Sequence, residues 1–320
     1  MKDTILFGDC RETLKQFDEK ARCCVTSPPY YGLRDYGGED KQIGQEQTPK
    51  EYIEEMVNVF RLVRDNLTDD GTLWLNIGDS YYNYRPGKGG LPKQTVSNTK
   101  QDLPDQCNRR ANKLEGLKEK DLIGIPWMLA FALRADGWYL RQDIIWHKPN
   151  PMPESVRDRC TKAHEYIFLL SKNKNYYYDN ESIKVPAKDW GTRDRTNGKY
   201  HNEGTGLQPH SGLTKSYSKA NKRSVWSITN KSYKGAHFAT YPPELITPCI
   251  LAGSEKDDIV LDPFMGSGTT AMVARSLGRY YIGCELHEEY NNLIQERVPV
   301  NILSTISPLS LIHISEPTRP

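Results

Sequence analysis

Two short stretches of the chain combine glycine, proline, hydroxyl and acidic residues in arrangements that could carry chemistry. The first, Ile259–Thr270, is an apolar β-branched run that ends in Asp262-Pro263 and continues into a glycine loop and a helix-forming segment. A strand, a tight turn and a helix start place backbone N–H groups in front of an anionic ligand. Because a carboxylate at this turn repels phosphate, Asp262 favours a ligand that carries a cation as well as an anion.

The glycine spacing argues against the two commonest nucleotide-binding loops. A P-loop needs a lysine where this chain has Thr269, and the three-glycine dinucleotide fingerprint is absent. The next strand, Arg279–Leu286, brings Glu285 about 20 residues past the glycines, where an acid can accept hydrogen bonds from ribose hydroxyls. Together these features predict a nucleoside cofactor with a charged amino-acid end, a description that S-adenosylmethionine fits. A purely structural turn is the alternative for Ile259–Thr270 alone.

The second stretch, Thr26–Tyr30, follows the apolar strand Ala21–Val25. Two consecutive prolines stiffen the backbone and donate no hydrogen bonds, so they can stand only at the end of the strand, and nearby carbonyls are left to accept. Ser27 adds a hydroxyl, and Tyr30 adds a ring that can stack on a base. A rigid acceptor pair beside an aromatic ring suits an amino group on a flat heterocycle. A proline-stiffened loop without a ligand is the alternative.

The two stretches together resemble those of a known family. Val25–Tyr30 resembles the catalytic motif of the DNA amino-methyltransferases in its Thr-Ser-Pro-Pro-Tyr form, and Asp262–Thr270 resembles their S-adenosylmethionine motif. The catalytic motif comes first, as in the β group, and the resemblance runs from about Thr4 to about Arg297. It implies a Rossmann-like α/β fold with a mixed, mostly parallel sheet, helices on both faces and a permuted motif order. Ser27 and Asp262 would then meet at the carboxyl edge of the sheet.

The resemblance implies methyl transfer to the exocyclic amine of a base flipped out of double-stranded DNA. Ser27 and the Pro28 carbonyl would accept hydrogen bonds from the amine, Pro29 would complete the rigid turn, and Tyr30 would stack on the base. Serine at the first motif position is associated mainly with cytosine N4, so cytosine is favoured and adenine N6 stays open. No metal is needed, because a sulfonium methyl is already reactive.

The cofactor site is expected to draw on three strand ends. Asp262 would pair with the amino group of the cofactor's methionine, and the following helix start would face its carboxylate. Glu285 would hold the ribose, while Asp9 and Cys10 would flank the adenine; a plain N-cap is the alternative for Asp9. The expected set is Asp9, Cys10, Thr26, Asp262, Phe264, Gly266, Ser267, Gly268, Thr269, Thr270, Glu285 and Leu286.

Hydrophobic periodicity predicts the elements that position these residues. The predicted strands are Thr4–Phe7, Ala21–Val25, Thr72–Asp79, Trp138–Trp146, Tyr166–Leu170, Ile259–Asp262 and Arg279–Leu286. The predicted helices are Arg11–Phe17, Thr48–Asn66, Asp121–Asp136 and Pro243–Leu251, with a turn at Asp69–Gly71. In the family, Trp146, Lys148 and His164-Glu165 form a wall of the base pocket, although His164 itself reads as structural. Asp79 favours a turn role over contact with the nucleotide.

Two segments are rich in basic residues and lack apolar periodicity. Tyr84–Lys120 reads either as a solvated loop or as a DNA-contacting loop that orders on binding. Ser182–Lys234 interleaves bases with amides and aromatics, which fits a target-recognition insert. The expected DNA contacts are Lys188, Arg193, Arg195, Lys199, Lys222 and Arg223. The predicted organisation is therefore a catalytic domain in two parts, 1–181 and 235–298, around an insert at 182–234.

Charge, hydropathy and cysteine content limit where the protein can act and what it can bind. The 320-residue chain has a net charge of only +2, so any DNA footprint must be local, and no run of about 18 apolar residues is present. Seven scattered cysteines predict reduced thiols rather than a zinc site. We expect a cytoplasmic monomer or homodimer, with a cognate restriction endonuclease as a candidate partner. Residues 299–320 lack periodicity, and Ser310–Arg319 resembles translated adapter sequence, so we expect this tail to be non-native.

Two other classes of function were weighed against methyl transfer. A nicotinamide oxidoreductase would share the glycine turn and Glu285 but would leave Ser27–Tyr30 and the basic insert without a role. A catalytically silent nucleic-acid binder would keep the basic segments but would have no need of both motifs. The response of the melting temperature to S-adenosylmethionine and to NAD separates the first alternative from the methyltransferase.

Overall fold

The computed structural model describes residues 1–32, 42–82, 114, 116–187, 218–230 and 241–298. Several sequence predictions lie outside these residues. They are the DNA contacts Lys188, Arg193, Arg195 and Lys199, most of the loop 84–120, most of the insert 182–234, and the tail 299–320. Those predictions stay as stated above.

The described residues form ten strands and six α-helices. The strands are β1 (Thr4–Phe7), β2 (Ala21–Thr26), β3 (Leu67–Ile77), β4 (Tyr139–His147), β5 (His164–Ser171), β6 (Val185–Pro186), β7 (Lys219–Ala220), β8 (Val225–Ser227), β9 (Ile259–Asp262) and β10 (Tyr280–Glu285). The helices are α1 (Cys10–Thr13), α2 (Pro49–Asp65), α3 (Ile125–Ala135), α4 (Pro243–Gly253), α5 (Thr269–Ser276) and α6 (Asn291–Arg297). Short 3-10 turns follow α1 and precede α6. None of these helices is long and apolar enough to cross a membrane.

Eight of the described strands form one sheet in the order β1-β10-β9-β2-β3-β5-β4-β8. Strand β5 runs antiparallel to both neighbours, whereas the other neighbouring pairs are parallel. This arrangement confirms the prediction of a mixed, mostly parallel, Rossmann-like sheet. Strands β2 and β9 are neighbours, with Cys24 opposite Leu261. The two motif-bearing strands therefore end side by side at the carboxyl edge.

Helices cover both faces of this sheet because alternate strand residues point to opposite sides. Cys24 and Leu261 pack with α2 and α3 in one buried cluster, while Cys23 and Val260 pack with α4 and α5 in another. A fully buried aliphatic or aromatic side chain contributes about 1.5–3 kcal/mol. The two clusters therefore hold the strand ends rigidly in place.

Local sequence explains where α2 begins. Thr48 accepts a hydrogen bond from the backbone N–H of Glu51, and the Glu51 carboxylate accepts one from the backbone N–H of Thr48. This capping box, followed by Pro49, starts the helix as predicted. The helix matters for function because its buried Tyr52 contacts the loop that follows β2.

The turn predicted at Asp69–Gly71 is wrong in one respect, because β3 runs through it. Leu67 pairs with Ala21, whereas Thr72 pairs with Cys23, so the extra residues of β3 are taken up by an irregular register. A side chain on Gly71 would meet backbone and side-chain atoms at 2.9 Å, which only glycine avoids. Strand β3 is therefore longer than its apolar pattern indicates.

Candidate active site

A hydrogen bond joins the two motifs at the carboxyl edge. The Thr26 hydroxyl, at the end of β2, donates to Asp262 Oδ1 at 2.6 Å, at the end of β9. The two residues are separated by 236 positions in the sequence. Ser27 follows Thr26 directly, and the glycine loop (Pro263–Gly268) follows Asp262. The predicted catalytic and cofactor stretches are therefore brought together by neighbouring strand ends.

The protein itself satisfies the Asp262 carboxylate. Oδ1 accepts from Thr26 and from the Phe264 backbone N–H at 3.0 Å, while Oδ2 accepts from the hydroxyls of Thr270 at 2.5 Å and Tyr241 at 3.2 Å. The side chain is 1% exposed, and this burial raises the pKa of Asp262 despite its donors. Two protein donors meet each oxygen of Asp262, and its pairing with the cofactor's amino group stays a prediction.

Most backbone N–H groups of the glycine loop are hydrogen-bonded within the protein. The N–H groups of Phe264, Met265, Gly266 and Gly268 all donate within the protein. Gly266 and Gly268 have φ of 53° and 77°, a region that glycine adopts without strain. The N–H groups that remain for an anion are those at the first turn of α5, where the helix dipole is positive.

A buried hydroxyl at this first turn lacks a partner. Thr269 Oγ1 is buried and makes no hydrogen bond to any residue in the described ranges. An unsatisfied buried hydroxyl costs about 1–3 kcal/mol, which a polar ligand group would relieve. This orphaned atom beside a helix N-terminus fits the carboxylate end of an amino-acid-bearing cofactor, so the residues present are compatible with S-adenosylmethionine.

Glu285 ends β10 beside the glycine loop. Its Oε2 accepts from the Gly266 N–H at 2.7 Å, and its Oε1 accepts from the His287 N–H at 2.9 Å. Burial raises the pKa of Glu285, and these two backbone donors oppose the rise. Each oxygen keeps a lone pair for a further donor, as ribose hydroxyls would supply. Leu286, half-buried, follows directly.

The Asp9 carboxylate, predicted to flank the adenine, is hydrogen-bonded to residues of the protein itself. Its carboxylate caps α1 by accepting the Arg11 N–H at 2.9 Å and binds the Arg11 guanidinium at 2.7 Å. Cys10 is buried in the core, and burial raises the pKa of its thiol. The capping alternative is therefore the one that the contacts support. Because β1 pairs with β10, both residues still lie near Glu285.

The C-terminal helix contacts the glycine loop, and the sequence analysis missed this contact. A Cβ on Gly268 would lie 3.2 Å from Ile294 of α6, and the Arg297 guanidinium donates to the Ser267 carbonyl at 2.9 Å. Arg297 also hydrogen-bonds to the Ser267 hydroxyl. The segment 291–297 contains only two apolar residues, Leu293 and Ile294, and these do not reveal what the helix packs against.

Helix α2 contacts and supports the loop Ser27–Tyr30. The Tyr52 hydroxyl donates to the Pro29 carbonyl at 2.9 Å, so this carbonyl is not left for a ligand as expected. Pro28 is buried, and its carbonyl accepts no hydrogen bond from the described residues. Ser27 is half-buried. The acceptor pair that stays available is therefore the Ser27 hydroxyl and the Pro28 carbonyl.

Tyr30 is fixed by contacts from two other strands. Its hydroxyl donates to Glu165 Oε2 at 2.7 Å, and a Cβ on Gly78 would lie 2.7 Å from its ring. Burial, followed by the Glu165 charge, raises the pKa of the phenol, while Ser27 opposes the rise as a hydrogen-bond donor. The phenol is therefore neutral, and its ring is held in place by residues of two other strands and of the turn at Gly78.

Glu165 lies at the centre of a polar cluster behind Tyr30. It forms an ion pair with Lys148, and the side chains of both are 16% exposed. The Asn76 amide donates to Glu165 at 3.3 Å and to the Tyr166 carbonyl at 3.1 Å. Lys148 also lies 4.2 Å above the ring of Trp146. The residues that the family resemblance assigns to the wall of the base pocket thus contact one another, through ionic contacts that the sequence did not specify; their role as a wall stays a prediction.

Asp79 has the structural role that the sequence favoured. Its carboxylate accepts the N–H groups of Gly124 at 3.0 Å and Ile125 at 3.1 Å, which start α3. Lys162 donates to the Asp79 carbonyl at 2.7 Å. Burial, with the Lys162 charge second, lowers the pKa of His164, whose ring packs edge-on against Tyr166.

Lys222 and Arg223 are the predicted DNA contacts that the structure describes. Lys222 is half-buried, and this burial lowers the pKa of its ammonium, which lies 5.0 Å from the Trp226 ring. Arg223 is exposed. The adjacent strand β8 pairs with β4 of the main sheet, so the end of the predicted insert is continuous with the catalytic sheet.

The sheet order and the joined strand ends define a Rossmann-like protein in which the glycine loop lies beside the Ser27–Tyr30 loop. The profile of the N6/N4 DNA methylase family matches residues 21–296. The chain belongs to this family and is a DNA methyltransferase of the class that modifies exocyclic amines. The predictions of an amino-methyltransferase and of S-adenosylmethionine as its cofactor are confirmed, against the nicotinamide alternative.

Similar proteins support the same assignment. Type II methyltransferase M.SmaI of Serratia marcescens is 49% identical over 300 residues, covering 92% of this chain and 90% of that protein. Type II methyltransferase M.Cfr9I of Citrobacter freundii is 44% identical, covering 92% and 87%. The solved PvuII DNA methyltransferase, described as cytosine-N4-specific, superposes with a TM-score of 0.62 at 19% identity, covering 95% and 89%. A DNA modification methylase of Thermus thermophilus, solved with S-adenosyl-L-methionine, has a TM-score of 0.56 at 22% identity, covering 92% and 94%.

Proposed function

We propose that this protein transfers a methyl group from S-adenosylmethionine to N4 of cytosine within a specific sequence of double-stranded DNA. The observation that carries the proposal is the Thr26–Asp262 hydrogen bond, which joins the amine-binding loop to the cofactor loop. Serine at position 27 supports cytosine over adenine, because the family associates serine there mainly with cytosine N4. The PvuII enzyme, which shares the fold, is itself described as cytosine-N4-specific.

The proposed chemistry rests on position and hydrogen bonding. The Ser27 hydroxyl and the Pro28 carbonyl accept hydrogen bonds from the exocyclic amine, which raises electron density on its nitrogen. Tyr30 stacks on the flipped base and holds the amine lone pair in line with the methyl donor. S-adenosylmethionine would supply a sulfonium-activated methyl group and would leave as the neutral sulfide S-adenosylhomocysteine, so no enzyme nucleophile is required. The methylated nitrogen releases one of its protons to solvent. Placement of this kind can account for several kcal/mol of the barrier.

We assign the cofactor-binding roles according to the contacts of each residue. The first turn of α5 and the Thr269 hydroxyl receive the methionine carboxylate, and Glu285 receives the ribose hydroxyls. Asp262 acts indirectly, because its hydrogen bonds fix Thr26, Thr270 and Tyr241 around the loop. Asp9 and Cys10, at the neighbouring strand end, border the adenine. Phe264, Gly266, Ser267 and Gly268 shape the loop.

The decisive experiment identifies the methylated base. Duplex DNA would be incubated with the protein and S-adenosylmethionine, digested to nucleosides and analysed by mass spectrometry. We expect N4-methylcytosine. N6-methyladenine instead would reject the cytosine assignment while keeping the amine chemistry, and 5-methylcytosine or no product would reject both.

Substitutions in the Ser27–Tyr30 loop test the mechanism. Ser27→Ala and Tyr30→Ala should leave S-adenosylmethionine affinity intact and lower the methylation rate at least about tenfold, since each removes a contact made to the base. Affinity would be measured by calorimetry and the rate in single-turnover assays. Full activity in both variants would contradict the mechanism.

A cognate restriction endonuclease is the proposed biological partner. The support is that the similar proteins M.SmaI and M.Cfr9I are named as type II methyltransferases. Long-read sequencing of DNA modified by the protein would give the methylated sequence. Resistance of that DNA to an endonuclease encoded beside the gene would support the partnership, and continued cleavage would contradict it.

A further inference from the structure

The loop that joins β4 to β5, residues 148–163, has no role in the mechanism described so far. Strand β4 runs parallel to β3 and antiparallel to β5, so this loop lies at the carboxyl edge of the sheet. The Lys148 N–H donates to the Ala163 carbonyl at 2.8 Å and closes the base of the loop. Glu165, two residues past the loop, accepts from the hydroxyl of Tyr30 at 2.7 Å. The β4–β5 loop therefore begins and ends beside the amine-binding loop.

Contacts on two sides hold the β4–β5 loop in place. The Asn150 amide donates to the Asn230 carbonyl at 3.1 Å, and the Asn150 side-chain oxygen accepts the Asn230 N–H at 2.9 Å. The Arg159 guanidinium pairs with Glu154 at 2.5 Å and lies 3.8 Å from the centre of the Tyr81 ring. The loop is therefore attached to the segment that follows β8 and to the segment that follows β3.

Prólines in this loop present an apolar side chain to solvent. Pro151 and Pro153 flank Met152, and Pro149 precedes them. Because proline fixes its own φ and keeps the preceding residue extended, the backbone around Met152 has few alternative conformations. Met152 is 80% exposed, more than any other large apolar residue in the described part of the chain. A single exposed apolar residue is ordinary, but one held on a rigid loop beside a binding site indicates a partner.

The charge around Met152 favours nucleic acid as that partner. The β4–β5 loop contains four basic and two acidic residues. Both acids, Glu154 and Asp158, form ion pairs within the protein, whereas Arg157 is exposed. An excess of basic residues around an apolar side chain suits a polyanion with an apolar interior better than it suits an apolar pocket of a protein. Stacked bases between phosphates have this character.

We propose that Met152 enters the DNA stack where the target base leaves it. This inference rests on the proposed function, in which the base is flipped out of the duplex. Flipping leaves a gap between neighbouring base pairs, and proteins that deform DNA insert apolar side chains, methionine among them, between bases. Filling the gap removes the apolar surface of Met152 from water and stabilises the flipped state. Met152 therefore acts on the population of the flipped base, and methyl transfer itself stays with the amine-binding loop.

Fluorescence of 2-aminopurine measures flipping directly, because this base becomes brighter when it is unstacked. It would replace the target base in a duplex of the methylated sequence, with S-adenosylhomocysteine as an unreactive cofactor. We expect Met152→Ala to reduce the rise in fluorescence about threefold or more. Single-turnover methylation of the normal duplex should fall about fivefold or more, with S-adenosylmethionine affinity and melting temperature unchanged. Met152→Leu, which keeps an apolar side chain of similar size, should retain both signals.

A mismatched target separates flipping from DNA binding in general. A target base opposite a non-complementary base flips at lower cost, so the flipped state is populated without an inserted side chain. On this duplex the loss of rate in Met152→Ala should shrink to less than about twofold. Met128→Ala is the matched control, because it makes the same truncation at a 38% exposed site on α3. It should equal the wild type on both duplexes.

The outcomes distinguish this inference from the proposed function. A loss in Met152→Ala that is confined to the normal duplex and absent in Met152→Leu would support the inference. A Met152→Ala variant that equals Met128→Ala, an equal loss on both duplexes, or a loss of the same size in Met152→Leu would overturn it while the wild type still methylates an amine. A wild type that produces no methylated amine would overturn the proposed function, and this inference with it.

Discussion

At the scale of single residues, two buried carboxylates shape the cofactor site by binding the protein itself. Asp262 gathers three hydroxyls and one backbone N–H, and Glu285 binds the N–H of Gly266. Burial raises the pKa of each, so the site holds costly charges that its own donors compensate. These acids therefore define the shape of the loop before any ligand arrives.

Asp262→Asn tests this positioning role. The NH2 group of the new amide would face the hydroxyls and the backbone N–H that donate to Asp262. At least one of these donors would therefore lose its acceptor. We expect the free energy of unfolding to fall by about 1–3 kcal/mol and S-adenosylmethionine affinity to weaken. Chemical denaturation and calorimetry would measure the two. Asp65→Asn, at an exposed helix end, is the control, and a variant indistinguishable from it would contradict the role.

Glu285→Gln gives a prediction with a defined pH dependence. The pKa of Glu285 is raised from its ordinary value of 4.5 in the folded protein, so folding favours the protonated carboxyl. Wild-type stability should therefore increase relative to Glu285→Gln as the pH falls from neutral through the raised pKa towards about 4.5. Denaturation at several pH values would measure the difference. The exposed Glu288→Gln is the control; a difference that shrinks with falling pH would contradict the expected sign.

At the scale of elements, the cofactor loop is held by parts of the chain that come from both ends. Strand β1 supports β10 on one side, and α6 packs Ile294 and Arg297 against Gly268 and Ser267 on the other. The loop connects β9 to α5 in the sequence, but its contacts with Ile294 and Arg297 come from α6. Its conformation therefore depends on α6 as much as on its own glycines.

Ile294→Ala tests the contribution of α6. The side chain is 4% exposed and packs with Met265 and Ala271, so truncation leaves a cavity under the loop. We expect a stability loss of about 2–5 kcal/mol, together with weaker S-adenosylmethionine binding. Ile183→Ala, at a buried site in a different cluster, should lose stability without the effect on the cofactor. Equal cofactor affinity in the two variants would contradict the role of α6.

At the scale of the whole molecule, charge is distributed unevenly. The chain carries a net charge of only +2, yet the segment 182–234 contains many more bases than acids. Of the residues described there, Arg223 is exposed, whereas Lys222 is half-buried against Trp226. Exposed cations bind phosphate by releasing counterions, so exposure decides which bases contribute. We therefore expect Arg223 to contribute to DNA affinity more than Lys222.

Neutralising the insert tests its role in DNA binding. Replacing Lys188, Arg193, Arg195 and Lys199 with Gln should weaken DNA affinity and flatten its dependence on salt, by about 0.9 in the logarithmic slope for each phosphate that is no longer neutralised. Fluorescence anisotropy at several salt concentrations would measure both. Lys50→Gln, an exposed change in α2, is the control. An unchanged slope would show that these residues do not contact phosphate.

Much of the fold could be predicted because its signals are local. Strands β1, β2, β9 and β10 were located to within about two residues from apolar runs, and α2 was located from its apolar periodicity. The two motifs and their order identified the class of enzyme. Errors came where a pattern was ambiguous, as at Asp69–Gly71, where turn-forming residues are accommodated within a strand.

The sequence by itself determined the class of enzyme, since motif composition and order are properties of the chain. Tertiary structure alone decided their partners. Sheet order brought Thr26 to Asp262 across 236 positions and Tyr30 to Glu165 across 135. It also buried Asp262 and surrounded its oxygens with three hydroxyls and a backbone N–H of the protein. Periodicity reports only neighbours along one element, whereas burial and hydrogen-bond partners depend on which strands lie side by side.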